Sequence, residues 1–214
     1  MGKGKLKRFE EMKKFPNVFE FTRENKGRWR EVFFKNNHPL VLELACGGGE
    51  YSVALAGRTP EKNFLGIDIK GARLFKGAKA ALLSDLPNVA FLRTHIDQIE
   101  EYFAPGEVSE IWITFPDPFL RNAKWKKRLT SSLFLSRYKK ICPPGTLVHL
   151  KTDSPELFAF TLQTLADLQL RVLRQSEDVY TDFPEEEVLH IRTHYEKMHL
   201  ANGRTSKYIL FVLT

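Results

Sequence analysis

Val41-Leu42-Glu43-Leu44-Ala45-Cys46-Gly47-Gly48-Gly49-Glu50 decides the fold. Its first five residues read as a buried strand. Three glycines then permit a tight turn and close approach of the backbone to a ligand, and residues 50–56 read as a short helix that ends at Gly57. Strand, glycine turn and helix in that order open a nucleotide-type α/β unit. The alternation continues downstream. Strands are expected at 63–68, 89–93, 109–114 and 146–151, and helices at 70–84, 127–141 and 154–168. Two last strands at 170–173 and 208–213 flank a helix over 185–201. This pattern predicts an α/β, Rossmann-like, doubly wound, mostly parallel seven-stranded sheet, with one of the last two strands antiparallel at its edge. Ligands in such sheets bind beyond the carboxyl ends of the strands, where the strand order switches.

Upstream of this unit the character changes. Residues 1–35 read as a basic N-terminal arm interrupted by Pro16 and Gly27, and residues 36–214 as the domain proper. Residues 1–30 hold ten Lys or Arg against four Glu, and Arg121, Lys124, Lys126, Lys127 and Arg128 form a second cluster without an acid. Within a net charge of +7, two such blocks on one face would attract a polyanion; a solvated surface with a loose tail is the plainer alternative. The 214 residues, 43% hydrophobic and 28% charged, suit one soluble domain and argue against disorder. No apolar run approaches a bilayer span, and the N-terminus is charged from Lys3 without an apolar signal core, so a cytoplasmic protein with no membrane association is expected. Cys46 and Cys142 are far apart, against a disulfide framework or zinc knuckle.

Two cofactor readings compete for the glycine turn. A nicotinamide site wants G-x-G-x-x-G, but its sixth position is Ser52. An S-adenosylmethionine site wants an acid at the end of the first strand, a glycine turn, and an acid after the second strand. Glu43, Gly47, Gly49 and Asp68 supply these, and Asp68 can accept from both ribose hydroxyls. The third strand exits through His95 and Asp97, which are candidates for the adenine side. A bare turn beside solvated acids is the competing reading. His190 and His194 are four apart but lack a third ligand, so no metal is expected. Trp125, among cations, suits either base stacking or a buried anchor.

After the fourth strand comes Thr114-Phe115-Pro116-Asp117-Pro118-Phe119-Leu120-Arg121. Two prolines around one acid stiffen the backbone and aim the carboxylate. Lys126-Lys127-Arg128-Leu129 follows, then His149-Leu150-Lys151-Thr152-Asp153, then Thr193-His194-Tyr195-Glu196-Lys197 with Gly203; Gly27-Arg28-Trp29 lies upstream. In that order, from about residue 15 to the C-terminus, these motifs resemble the tRNA (guanine-N7)-methyltransferase family in its single-chain bacterial form. The resemblance implies cofactor or active-centre contacts from Glu43, Asp68 and Asp117, with Asp117 catalytic, and puts His95 where the family has Asp. Substrate contacts would map to Arg121, Asp153, Thr193 and Glu196. Arg121 replaces the family's Lys, Phe119 and Leu120 replace Trp and Pro, and Ala45 stands where Gly is frequent. The implied reaction takes a methyl group from S-adenosylmethionine to N7 of a guanine in tRNA and leaves S-adenosylhomocysteine. No obligatory protein partner is expected for this monomer or homodimer. Another acceptor on the same fold, nucleic acid or small molecule, and a non-catalytic RNA-binding relative are the alternatives.

Overall fold

The computed structural model describes residues 3–214 of the chain. Seven of the strands are the expected ones: β2 (Leu40–Leu44), β3 (Asn63–Asp68), β4 (Val89–Arg93), β5 (Glu110–Thr114), β6 (Thr146–Thr152), β7 (Val172–Ser176) and β8 (Lys207–Leu213). An eighth, β1 (Val18–Glu20), comes from the segment read as an arm. The sheet runs β1-β4-β3-β2-β5-β6-β8-β7. All pairings are parallel except those of β8, which lies antiparallel between β6 and β7. The mixed, mostly parallel Rossmann-like class therefore stands. The reversed strand sits one place in from the edge, and β7 covers it. Among the described residues, no helix is long and apolar enough to cross a membrane.

The helices are α1 (Lys3–Met12), α2 (Glu50–Arg58), α3 (Gly71–Leu83), α4 (Ser132–Ile141), α5 (Pro155–Asp167), α6 (Val179–Asp182) and α7 (His194–Ala201). Strand alternation divides the core between the two faces of the sheet. Leu40, Leu42 and Leu44 of β2 pack on one side with Leu135 and Tyr138 of α4. Val41 packs on the other with Tyr51 of α2 and Trp112 of β5. Two expected helices are shorter than their sequence pattern. Residues 122–127 form a 3-10 turn before α4, and α7 begins only at His194, its N-terminus capped by the Thr193 hydroxyl accepting from the Glu196 N–H at 3.1 Å.

The basic segment 1–35, of which residues 1–2 lie outside the described residues, is built into the body. β1 pairs with β4 from Val18–Phe91 to Glu20–Arg93. Met12 and Trp29 are fully buried, and the Trp29 indole N–H donates to the Tyr102 carbonyl at 3.0 Å. Arg93 joins the two parts, its guanidinium lying 4.9 Å from the Phe9 ring centre and 5.3 Å from that of Phe21. The apolar residues of a basic segment decided its fate here: Met12, Phe19 and Trp29 gain more from burial than the cations lose by standing near the surface.

Candidate active site

Strand order reverses between β2 and β5, so a crevice opens beyond their carboxyl ends. A cavity of 520 Å³ fills it, within the usual range of roughly 300–1,000 Å³ for small-molecule sites. Its walls include Gly47, Asp68, His95, Asp97 and Asp117, from four successive strand ends. Gly47 and Gly49 both adopt left-handed backbone, with φ of 56° and 71°. At Gly49 a side chain is also impossible on space, since a Cβ would lie 2.4 Å from the Phe91 ring. The Gly47 N–H donates to Asp68 Oδ2 at 3.0 Å and the Lys70 N–H to Oδ1 at 2.8 Å, which fixes the carboxylate at the tip of β3.

Glu43 is placed differently from the sequence expectation. It stands behind the glycine turn, buried, outside the cavity wall. Its Oε2 accepts from the Ser52 N–H at 2.8 Å and from the Ser52 hydroxyl, and its Oε1 accepts from the Thr114 hydroxyl at 2.6 Å. One carboxyl thus ties β2 to α2 and β5. Burial pushes its pKa up to about 7, against the opposing pull of the Ser52 and Thr114 hydrogen bonds.

Asp117 is exposed and lies on the wall of this cavity and of a second one, of 760 Å³. Its Oδ1 accepts from the Phe119 N–H at 3.1 Å. Phe115 and Phe119 on either side are left-handed, with φ of 48° and 43°. Two anchors hold this loop. The Phe115 N–H donates to the Lys151 carbonyl at 2.8 Å, and the buried Arg128 guanidinium donates to the carbonyls of Pro118 at 3.0 Å and Phe119 at 3.2 Å. Arg128, counted by sequence among the surface cations, is thus a loop anchor packed 4.3 Å from the Phe160 ring centre.

The second cavity is walled by Asp153, Tyr195, His199 and Arg204 opposite Asp117. Asp153 Oδ2 lies 2.7 Å from Arg204 and 3.3 Å from His199 Nδ1. Thr193 is buried and reaches the wall of the first cavity. Arg121 is exposed and lines neither. Glu196 also lines neither: it is fully buried, 2.8 Å from Lys151 Nζ, and accepts from the Tyr180 hydroxyl at 2.9 Å and the Ser206 hydroxyl at 2.7 Å. With those partners its carboxylate holds α7 to β6. Direct substrate contact, expected from the resemblance, does not fit this geometry.

His149, Lys151 and Asp153 follow one another down the same side of β6 and its exit. They pair in turn with Tyr208, with Glu196, and with Arg204 and His199. Lys151 and Asp153 thus tie the segment 196–204, between β7 and β8, to β6 and its exit. His149 also stacks on Trp112 at 3.8 Å, and burial lowers its pKa to about 4. Sequence reasoning missed Lys70 and Arg73, which line both cavities together with Tyr195 of the motif over 193–196. The first two sit at the start of α3, directly after Asp68, and that adjacency was the available signal.

A family model described as "Putative methyltransferase" matches residues 37–209. The tRNA (guanine-N(7)-)-methyltransferase of Christiangramia forsetii is 50% identical, over 98% of this chain and 97% of that protein. The chain belongs to the tRNA (guanine-N7)-methyltransferase family. A second member, from Bacteroides thetaiotaomicron, is 46% identical over 100% of this chain and 87% of its own length. Among solved structures, the 16S rRNA methyltransferase KamB superposes with a TM-score of 0.66 at 17% identity, covering 86% of this chain and 92% of that one. At that identity the likeness shows the class I methyltransferase fold alone.

Proposed function

We propose that this member of the family transfers a methyl group from S-adenosylmethionine to N7 of a guanine in tRNA. One observation carries the reading: a cofactor-sized cavity and a second, cation-rimmed cavity share Asp117 as common wall. The residues present fit the cofactor. The Asp68 carboxylate is oriented by two backbone N–H groups with lone pairs to spare for a ribose, and the fully buried Thr94 hydroxyl at the cavity wall has no hydrogen-bond partner among the described residues. Asp68 would hold the ribose, His95 and Asp97 the adenine, and the Gly47–Gly49 backbone the amino-acid end. When bound, S-adenosylmethionine supplies an electrophilic methyl on a sulfonium.

Guanine N7 has an exposed lone pair and no proton, so the reaction needs no general base to make the nucleophile. It is an in-line displacement, and positioning supplies most of the acceleration. The acceptor ring gains positive charge as the methyl arrives. The Asp117 carboxylate, fixed between two strained residues, would stabilise that charge while accepting from the amino or imino edge of the guanine. N7 faces the major groove, where tertiary pairing in folded RNA can cover it, and in this reading the base leaves its stack to enter the second cavity. Arg121, Lys124, Lys126 and Lys127, with the basic residues of segment 1–35, would grip backbone phosphates outside it. Activity as a monomer or homodimer, without an obligatory protein partner, is part of this reading. Incubating unmodified tRNA with methyl-labelled cofactor, followed by aniline cleavage, tests the reading: label and cleavage at one guanine are expected. Label without a cleavable guanine would favour another acceptor position.

A further inference from the structure

Arg73 and Tyr195 meet across the junction of the two cavities, and each lines both. Arg73 is in the first turn of α3, on the cofactor side; Tyr195 is in the first turn of α7, on the acceptor side. The guanidinium carbon lies 5.2 Å from the Tyr195 ring centre. Arg204 is paired with Asp153 and Lys207 with Glu177, but among the described residues Arg73 and its neighbour Lys70 make no ion pair. The acids that share the second cavity are the paired Asp153, the loop-bound Asp117, and Glu156, which accepts from the Ser154 hydroxyl at 2.8 Å. A guanidinium resting on an aromatic face keeps its planar fork of N–H donors uncommitted and holds it in one direction, which matches two oxygens of a phosphate.

We infer that Arg73, propped on Tyr195, binds the backbone phosphate of the nucleotide whose guanine enters the acceptor cavity, with Lys70 adding a second charge. This rests on the proposed function. It adds a phosphate contact at the methyl-transfer junction itself, where it fixes how far the base is inserted. Lys126 and Lys127 of the second basic cluster line the cofactor cavity but not the acceptor cavity, whereas Arg73 and Lys70 line both, so this contact marks a nucleotide poised for reaction.

The test measures equilibrium binding of unmodified tRNA over a range of salt for wild type, Arg73→Gln and Arg73→Lys, with S-adenosylmethionine affinity measured by calorimetry on each. In Arg73→Gln the slope of log affinity against log salt should fall by about one, with about a tenfold loss of affinity at physiological salt. Arg73→Lys should restore the slope but only part of the affinity, because a point charge replaces the fork. Cofactor affinity should stay within about twofold throughout, as expected for a group that contacts only the RNA. An unchanged slope in Arg73→Gln overturns the inference. So does a loss of cofactor affinity with tRNA binding intact, which would put the guanidinium on the cofactor's carboxylate. Wild-type protein that binds tRNA but leaves guanine unmethylated would instead sink the enzymatic reading, while the salt slopes still decide the role of Arg73.

Discussion

Asp117 owes its aim to strain on both sides of it. Phe115 and Phe119 hold left-handed backbone that costs a non-glycine residue of order 1 kcal/mol or more, and the Lys151 carbonyl and the Arg128 guanidinium keep them there. Asp117→Asn keeps the acceptor for the Phe119 N–H and so keeps the loop, but removes the charge. Turnover should fall about 100-fold or more with cofactor affinity little changed, on the scale of losing one group that stabilises developing charge. Equal losses in both would make Asp117 a cofactor ligand. Glu43 makes a different prediction. Its pKa is about 7 in the fold against 4.5 for the free side chain, so the folded state holds the proton more tightly than the unfolded chain. That contribution is complete below pH 4.5 and is lost as pH rises through 7, by at most about 3 kcal/mol. Unfolding of wild type and Glu43→Gln across pH 5–8 should therefore diverge, with wild type losing stability as pH rises and the variant showing a flatter profile. Parallel curves would mean that Glu43 stays ionised in the fold.

Among the elements, α7 shows where sequence pattern stops being informative. Residues 185–201 carry helix-compatible composition, yet only His194–Ala201 is helical, because Thr193 caps the N-terminus and Glu196 is drawn into the sheet by Lys151. The partner that decides this is 45 residues away, beyond the reach of periodicity. The strand ends were legible for the opposite reason: glycines, prolines and single acids after short apolar runs are local signals, and Asp68, His95, Asp97 and Asp117 do share one cavity. Glu43 was legible as a strand-end acid. Which face it points to depends on Ser52 and Thr114, which no spacing rule reveals. Removing one half of the fully buried Lys151–Glu196 pair leaves an uncompensated charge, so Glu196→Ala should cost about 3–5 kcal/mol in urea unfolding. Lys151→Met combined with Glu196→Leu should recover most of that loss, since two apolar groups need no partners. A double variant as unstable as Glu196→Ala would show that Tyr180 and Ser206, also bonded to Glu196, matter as much as the lysine.

At the scale of the whole molecule, the question is whether the basic N-terminal segment is RNA-binding equipment attached to a finished enzyme or part of the enzyme. Charge argued for the first, and packing argues for the second. Asn17 donates to the Ala78 carbonyl at 3.0 Å, and a Cβ on Gly71, the first residue of α3, would lie 2.6 Å from the Phe9 ring and 3.1 Å from Met12 Cε. The segment therefore fits against the start of the helix that carries Arg73, next to the Asp68 turn. Met12→Ala tests this without touching any charge. If the segment folds with the body, the variant loses about 2–4 kcal/mol in chemical unfolding measured without tRNA, the usual cost of truncating a fully buried methionine. A loose arm would give no change in that measurement. Because α3 supplies one wall of the junction between the cavities, the same variant should also bind S-adenosylmethionine more weakly, while its long-range attraction for tRNA, set by unchanged net charge, persists.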